Sequence, residues 1–338
     1  MKNTVTYDGR NEVRNKPTNL KSSDSNLFQH EYNLSLKPVS VVEIKNVSIF
    51  KGFLFTIKSL NSYIFLTHVF DVKKKFILRR IMTMLIPAHT LENGIWITDE
   101  ISSEYFHWFT DALSRLKAVD KALETNQNLT DNVRPQVILP LDYKRKEFIV
   151  SSLNMLGYEA FYYNPKKRLK VKRLITSTHT APTGNYNSNI IKELRVSFMS
   201  SENKSLVHRK IYISRSKAMT RKVINEAEVI DLLLKYGYEI HTFEDYDFSK
   251  QLEIMLNVKT LVSLHGAGLT NMLFMPTEGN ILELRNEGDS HNNCYFSLTS
   301  SLNHRYFYLV NKGDKKDTYS VNITVDLQEL AAILERLN

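Results

Sequence analysis

Residues 259–284 read KTLVSLHGAGLTNMLFMPTEGNILEL, and the order of residue types in this stretch decides the fold class. Thr260 to Leu264 is a short, mostly apolar run that reads as a buried strand. A glycine turn follows at His265-Gly266-Ala267-Gly268, then a brief helical pattern from Leu269 to Phe274 that Pro276 stops. A second apolar run, Ile281 to Leu284, carries one carboxylate, Glu283. Strand, turn, helix and strand make a parallel βαβ unit with the turn at the carboxyl end of its first strand. In open α/β sheets that edge holds the ligand. Two glycines let main-chain N–H groups approach an anion, and a helix start adds partial positive charge. A phosphate or diphosphate is the expected guest.

Other readings of the turn fare less well. His265-Gly-Ala-Gly would suit the oxyanion loop of an α/β-hydrolase, but the chain contains no G-x-S-x-G to supply a nucleophile. A dinucleotide fingerprint needs G-x-G-x-x-G, and the third glycine position is Asn271. A plain tight turn is the bland alternative, and the neighbouring sequence weighs against it.

Working outward, 338 residues are more than one core usually serves, so two domains are expected. Hydrophobic content of 42% and charged content of 24% describe an ordinary globular chain. A single cysteine, Cys294, excludes an internal disulfide and a cysteine-rich zinc site. Without an apolar run behind the first basic residues, no secretory signal is expected. The longest apolar stretches fall short of the about 20 residues a membrane helix requires. A cytoplasmic chain follows as the expectation. The net charge of +9 is concentrated in the first half: Lys73 to Lys75, Arg79-Arg80, Lys144 to Lys146, and the basic run from Lys166 to Arg173. Either this is a solvated face or it draws the chain to an anionic surface such as acidic lipid, a lipid diphosphate or a polyanionic glycan. No nucleic-acid-binding signature accompanies it.

Along the chain, residues 1–35 are polar and aperiodic and read as a loosely held arm. Residues 36–182 read as one α/β domain. Closely spaced strands from Val41 to Phe55 suggest a hairpin, and Ile95 to Ile97 and Gln136 to Pro140 are further strands. Between them a helix is expected over Ser102 to Leu116, capped by Ser102 or Ser103, with Phe106, Phe109, Leu113 and Leu116 as its buried stripe. His107, Asp111, Ser114 and Arg115 share its opposite, wet face; a histidine one turn from a carboxylate suits acid/base chemistry, though a plain wet helix side reads the same.

Residues 183–325 read as a second α/β domain and 326–338 as a helix that crosses back to the first. Here a strand ends at Ser214, followed at once by Arg215, Lys217 and Arg221, cations well placed for a ligand's negative charge. Val223, Ala227, Ile230 and Leu234 are expected to line one side of the next helix, and Gln251 to point inward or to a cleft from the helix after that. Asp245-Tyr-Asp247 reads as a helix-start cap. Tyr295 to Val310 reads as a continuation of the sheet.

Three motifs in order resemble the family 61 glycosyltransferases. They are Tyr105-Phe-His-Trp-Phe-Thr-Asp-Ala-Leu-Ser-Arg-Leu116, then Ile213-Ser-Arg215 with Arg221-Lys-Val-Ile-Asn-Glu226, and His265-Gly-Ala-Gly-Leu-Thr-Asn271 with the later Glu283. Together they cover roughly residues 95 to 285. Members commonly carry Glu where this chain has Asp111, and Pro where it has Ser114. The resemblance implies a GT-B architecture, two Rossmann-like domains facing across a cleft with the nucleotide-sugar held mainly by the C-terminal one. It further implies inversion at the anomeric carbon with no obligatory metal or cofactor.

On that resemblance the chain is expected to move a sugar from a nucleotide diphosphate donor, a UDP-sugar first of all, to a glycan or lipid-linked glycan hydroxyl. Bacterial surface polysaccharide synthesis at the inner membrane face is the expected setting. Arg215 and Arg221, with N–H groups of Gly266, Ala267, Gly268 and Leu269, would meet the diphosphate; Glu283 would bind the ribose, and His265 and Asn271 would shape the turn or touch the donor. Asp111 or His107 would serve as base. The alternatives are a donor-binding scaffold without catalysis and an NAD-type oxidoreductase, the latter disfavoured by Asn271.

Overall fold

The computed structural model describes residues 2–56, 82–126, 134–199, 208–287, 289, 292–315 and 320–337. Lys73 to Lys75 and Arg79-Arg80 lie outside these residues. The fold is mixed α/β and divides into two compact units, Met1–Arg10 with Leu36–Ala181, and Asn11–Ser35 with Pro182–Asn338.

In chain order, β1 (Lys2–Tyr7) precedes a two-stranded ribbon, β2 (Arg10–Val13) and β3 (Asn33–Leu36). Then come β4 (Val39–Phe50), β5 (Phe53–Phe55), β6 (Ala88–Trp96), β7 (Val137–Pro140), β8 (Ala160–Tyr163) and β9 (Arg168–Ser177). The N-terminal unit's sheet runs β1-β4-β9-β6-β7-β8, with β5 also on β4. The last four strands in that order, β9-β6-β7-β8, are parallel, while β4 is antiparallel to β9, β1 and β5. The Rossmann-like expectation therefore holds only for part of this sheet. Phe50 pairs with Phe53 across the two-residue loop Lys51-Gly52, where φ is 51° and 78°. Positive φ at both positions is the requirement of a tight hairpin turn, and a loop that short joins antiparallel strands only.

The helix expected over 102–116 begins later. Ser102 Oγ donates to Asp99 Oδ1 at 2.7 Å and accepts from the Asp99 N–H at 2.9 Å, so it closes the preceding loop instead of capping. The run comprises an α-turn Tyr105–His107, a π-helical turn Trp108–Ala112, and α1 (Leu113–Thr125). Phe109, Leu113 and Leu116 are buried as expected and Phe106 is half-buried, but the expected wet face is not wet: Asp111, Ser114 and Arg115 are buried too. Arg115 explains this, donating to Thr176 Oγ1 (3.2 Å) and Ser177 O (3.0 Å) at the end of β9. Trp108, fully buried, donates to Ser152 Oγ at 2.9 Å in α2 (Glu147–Met155).

In the basic run, Leu169 and Val171 alternate into the core, Lys172 pairs with Glu92 and Arg173 with Glu43, and Arg168 reaches the carbonyls of Met84 and Ile86. Part of that charge is thus neutralised within the unit.

The C-terminal unit holds α3 (Ser188–Phe198), β10 (Arg209–Ile213), α4 (Glu226–Lys235), β11 (Glu239–His241), α5 (Phe248–Met255), β12 (Val258–Leu264), β13 (Asn280–Asn286), α6 (Cys294–Ser301), β14 (Arg305–Gly313), β15 (Ile323–Thr324) and α7 (Leu327–Leu337). Its sheet order is β11-β10-β12-β13-β14-β15, all parallel except the last pair. Counted in order of appearance, the parallel strands lie 2-1-3-4-5, a doubly wound arrangement whose direction reverses between β10 and β12.

Four expectations change here. On α4 the buried row is Val229 and Leu233, while Leu234 is 54% exposed and Ala227 is exposed. Two adjacent apolar rows satisfy the helical period, and the sheet, not the period, selects one. Residues 294–301 form a helix, because neighbouring parallel strands β13 and β14 need a crossover between them. Gln251 donates to Phe243 O (3.0 Å) and Tyr246 O (3.1 Å), stitching the turn before its own helix. The tail helix α7 stays in its own unit, with Leu330, Ile333, Leu334 and Leu337 packed in one cluster with Val229, Leu233, Leu282 and Phe307. Asp247 caps α5 as expected, accepting from Lys250 N–H at 2.8 Å.

Residues 1–35 are not a loose arm. The first seven include an edge strand, and residues 11–35 belong to the C-terminal unit. Phe28 is 0% exposed among Phe296, Tyr306 and Tyr308. Thr18 N–H donates to Tyr306 O (2.8 Å), and Asn19 pairs with both main-chain groups of Tyr308 (2.7 and 3.1 Å). Polar residues that read as solvated are hydrogen-bonding an otherwise open strand edge.

Candidate anion site at the switch point

β10 and β12 are tied at their carboxyl ends by Ser263 Oγ, which donates to Ile213 O at 2.9 Å. Beyond them emerge the two segments singled out in the sequence, Ser214 to Lys222 and the turn from His265. In doubly wound sheets the edge where the strand order reverses is the one that receives ligands.

Arg215 belongs to both segments. Its Nε donates to Arg221 O (3.1 Å) and one Nη to Thr220 O (3.3 Å), and its guanidinium lies over Gly266, where a Cβ would stand 2.9 Å from Cζ. Gly266 has φ of 160°, extended backbone, so its glycine provides room and not handedness. Gly268 similarly admits Ile213, whose Cγ2 would lie 3.1 Å from an added Cβ. Arg221 sits at φ 59°, a left-handed conformation uncommon outside glycine, and its buried Nε has no partner among the described residues.

Among the described residues neither guanidinium has a carboxylate within ion-pair distance, whereas Lys217 pairs with Asp245. Burial, and next the charge of Arg221, hold Arg215 below the ordinary arginine value. Two cations kept near each other, partly desolvated and without a carboxylate at ion-pair distance, make this edge a candidate anion site.

The turn contributes donors. Leu269 N–H donates to Gly266 O at 2.9 Å and starts the 3₁₀ helix Ala267–Phe274, so Leu269 is not available to a ligand as expected; Gly266, Ala267 and Gly268 N–H precede that first bond. Asn271 is buried and its amide donates to Gly268 O at 3.1 Å, bracing the turn.

Glu283 does not present itself to a ribose. It is 0% exposed, with one oxygen bonded to His265 Nδ1 and the other accepting from Tyr306 OH at 2.5 Å. Burial raises its carboxyl pKa, but Arg285, His265 and Tyr306 outweigh that and hold it below the usual carboxylate value. On the other ring nitrogen, Asn292 Nδ2 lies 3.1 Å from His265 Nε2 and has protons to give. Tyr295 stands edge-on to the imidazole, ring centroids 5.0 Å apart.

Arg285 is buried alongside, donating to Asn293 Oδ1 (2.9 Å), Tyr306 OH (3.2 Å) and Asp289 O (2.8 Å). Sequence reasoning passed over Arg285, Tyr295 and Tyr306. One signal was legible: Glu283 and Arg285 alternate on an apolar strand, so they share one buried face and must be paired.

His107 and Asp111 belong to the N-terminal unit. His107 Nδ1 and Asp111 Oδ2 are 2.7 Å apart, on the α-turn and the π turn of the same helical run. Arg115 lies behind them, wholly buried, its guanidinium lowered by burial to about 10 against the partial support of Asp99 and Asp111. Among the described residues no three or more His, Cys, Asp or Glu side chains cluster so as to hold a metal ion, and no helix is long and apolar enough to cross a membrane.

The Glycosyltransferase 61 family model matches residues 105–282, slightly more than half of the chain; it contains every site residue above up to Asn271, and Glu283 lies one position past its end. An EGF domain-specific O-linked N-acetylglucosamine transferase of Drosophila melanogaster is 39% identical over 98 residues, covering 28% of this chain and 18% of that protein. Its Gallus gallus counterpart is 28% identical over 159 residues, 45% of this chain and 27% of that protein. A protein O-linked-mannose beta-1,4-N-acetylglucosaminyltransferase 2 of Xenopus laevis is 37% identical over 73 residues, 20% of this chain and 12% of that protein. The chain thus spans under a third of the length of these relatives.

Proposed function

The chain belongs to the glycosyltransferase 61 family, and from that premise we propose that it transfers a sugar from a nucleotide diphosphate donor to a hydroxyl of a glycan or lipid-linked glycan. The observation that carries this reading is the pair Arg215 and Arg221 beside the Gly266 turn. As the bond from sugar to diphosphate breaks, negative charge grows on the leaving group. Fixed guanidinium and N–H donors in a partly desolvated site stabilise that charge without reorganising. The donor set suffices for a metal-independent route. Inversion follows if the acceptor attacks opposite the diphosphate, with its proton taken by one of the pair His107 and Asp111.

Relatives named for N-acetylglucosamine transfer make UDP-N-acetylglucosamine the first donor to try. The acceptor we favour is a bacterial surface glycan carried on lipid at the inner membrane face, because the net charge of +9 suits an anionic surface. Pelleting with anionic liposomes at low salt checks the membrane element, and its absence removes it.

The reading is tested by thermal denaturation with UDP, GDP, CMP and NAD, followed by product analysis with a nucleotide-sugar panel. A ligand bound only by the folded state raises the transition temperature. Stabilisation by a nucleoside diphosphate with turnover of its sugar is expected. Stabilisation without hydrolysis or transfer would make the chain a donor-binding scaffold, and stabilisation by NAD alone would overturn the reading.

A further inference from the structure

Transfer to a hydroxyl needs a base, and the helical run of the N-terminal unit offers two groups that its geometry separates. Asp111 Oδ2 stands 2.7 Å from His107 Nδ1. An ionised carboxylate only accepts hydrogen bonds, so the shared proton sits on Nδ1 and the ring's lone pair on Nε2. Nε2 has no partner among the described residues, and the imidazole is 21% exposed against 10% for the carboxylate. Asp111 in turn is one of the carboxylates whose charge supports the buried Arg115. The other nearby carboxylate of the run, Glu104, faces Lys146 at 3.5 Å.

The backbone is specialised at this point. His107 immediately precedes the π turn Trp108–Ala112, whose extra width sets Asp111 one turn on, and turns of this kind recur at functional positions. Trp108 is anchored to Ser152, and Phe106 stands edge-on to the imidazole, centroids 4.9 Å apart.

We propose that His107 Nε2 is the catalytic base and that Asp111 is a positioning residue, fixing the His107 tautomer and stabilising the imidazolium it becomes. The assignment rests on the glycosyltransferase reading above. In the step, the acceptor O–H proton passes to Nε2 and the oxygen's electron pair forms the bond to the anomeric carbon. The bond from that carbon to the diphosphate oxygen breaks, its pair leaving with the nucleoside diphosphate. After product release the imidazolium returns its proton to water.

The experiment is a pH–rate profile of transfer for the wild type, His107→Gln, Asp111→Asn and Asp111→Glu, with UDP affinity and thermal unfolding measured on each as the controls for the donor site and for folding of the N-terminal unit. His107→Gln is expected to lose on the order of 10²- to 10⁴-fold in kcat with UDP affinity unchanged. Asp111→Asn is expected to lose less and to move the acid limb of kcat/KM to lower pH, since imidazolium formation loses its carboxylate; Asp111→Glu restores part of both. If His107→Gln stays active while Asp111→Asn is dead, or if the acid limb ignores Asp111→Asn, the assignment is overturned while the parent reading stands. A wild type that binds UDP but transfers nothing overturns both. Should a variant lose UDP affinity, the wild-type profile decides: an acid limb in the imidazole range supports His107, and one in the carboxylate range overturns it.

Discussion

Two of the three guanidinium nitrogens of Arg215 are committed to the carbonyls of Thr220 and Arg221, so this side chain shapes a loop as well as carrying charge. Arg221 carries charge alone. Arg221→Ala should therefore weaken UDP binding by at least about tenfold with little change in thermal stability, the loss of one charge-assisted contact of roughly 1.5–3 kcal/mol. Arg215→Ala should weaken binding and also lower the unfolding temperature, and Arg215→Lys should not rescue it, because an ammonium lacks the planar fork. Calorimetric titration and thermal denaturation of the three variants separate these effects.

A second residue-scale prediction concerns His304, which is buried and accepts from Gly279 N–H (3.0 Å) while facing Met272 O (3.2 Å). Burial, with Arg195 nearby, lowers its pKa from 6.5 to about 3, so the folded state keeps it neutral. Between those values the unfolded chain binds a proton that the folded chain refuses, and stability falls as pH drops, by up to about 1.4 kcal/mol per pH unit. Denaturant midpoints between pH 7 and pH 5 should show this slope, and His304→Gln should flatten it. Gly279→Ala should also destabilise, since its Cβ would stand 2.7 Å from Met275 Cε and 3.2 Å from Lys259 O.

Among the elements, the segment from Thr18 to Phe28 seals the outer edge of β14 that β15 leaves unpaired. Phe28→Ala should cost about 3–5 kcal/mol, read as a shifted urea midpoint of the C-terminal unit, because the ring fills a closed aromatic cluster. This segment also marks where the sequence stops being legible. The βαβ unit at 258–286, the cap at Asp247 and the hairpin at 39–55 are local, and their residue types announce them. Asn19 and Phe28 act on partners nearly three hundred positions away, and periodicity carries no trace of such pairing. The choice of Val229 over Ile230 was hidden for a related reason, since the sheet face that selects the row is built from distant strands. At the site, the two arginines and the glycine turn were legible as charge and as room for close approach. The pairing of Glu283 with Tyr306 was not, because Tyr306 lies on another strand.

On the scale of the whole molecule, the chain begins in one unit, visits the other over residues 11–35, returns until residue 181, and then completes the second. A fragment beginning at Pro182 lacks the segment that closes its own sheet edge. It should be aggregation-prone, and a peptide of residues 11–35 added in trans should restore solubility and UDP-dependent stabilisation; a monomeric, UDP-binding fragment without the peptide would contradict this. Asn19 meets Tyr308 across 289 positions. Ribosomes polymerise about 5–20 residues per second, so Phe28 is added roughly 15–60 s before the strand that shelters it has been made. The nascent polypeptide thus carries an orphaned aromatic hook until residues 305–313 have followed, and chaperones that grip such hooks at the ribosome should govern its yield in the cell.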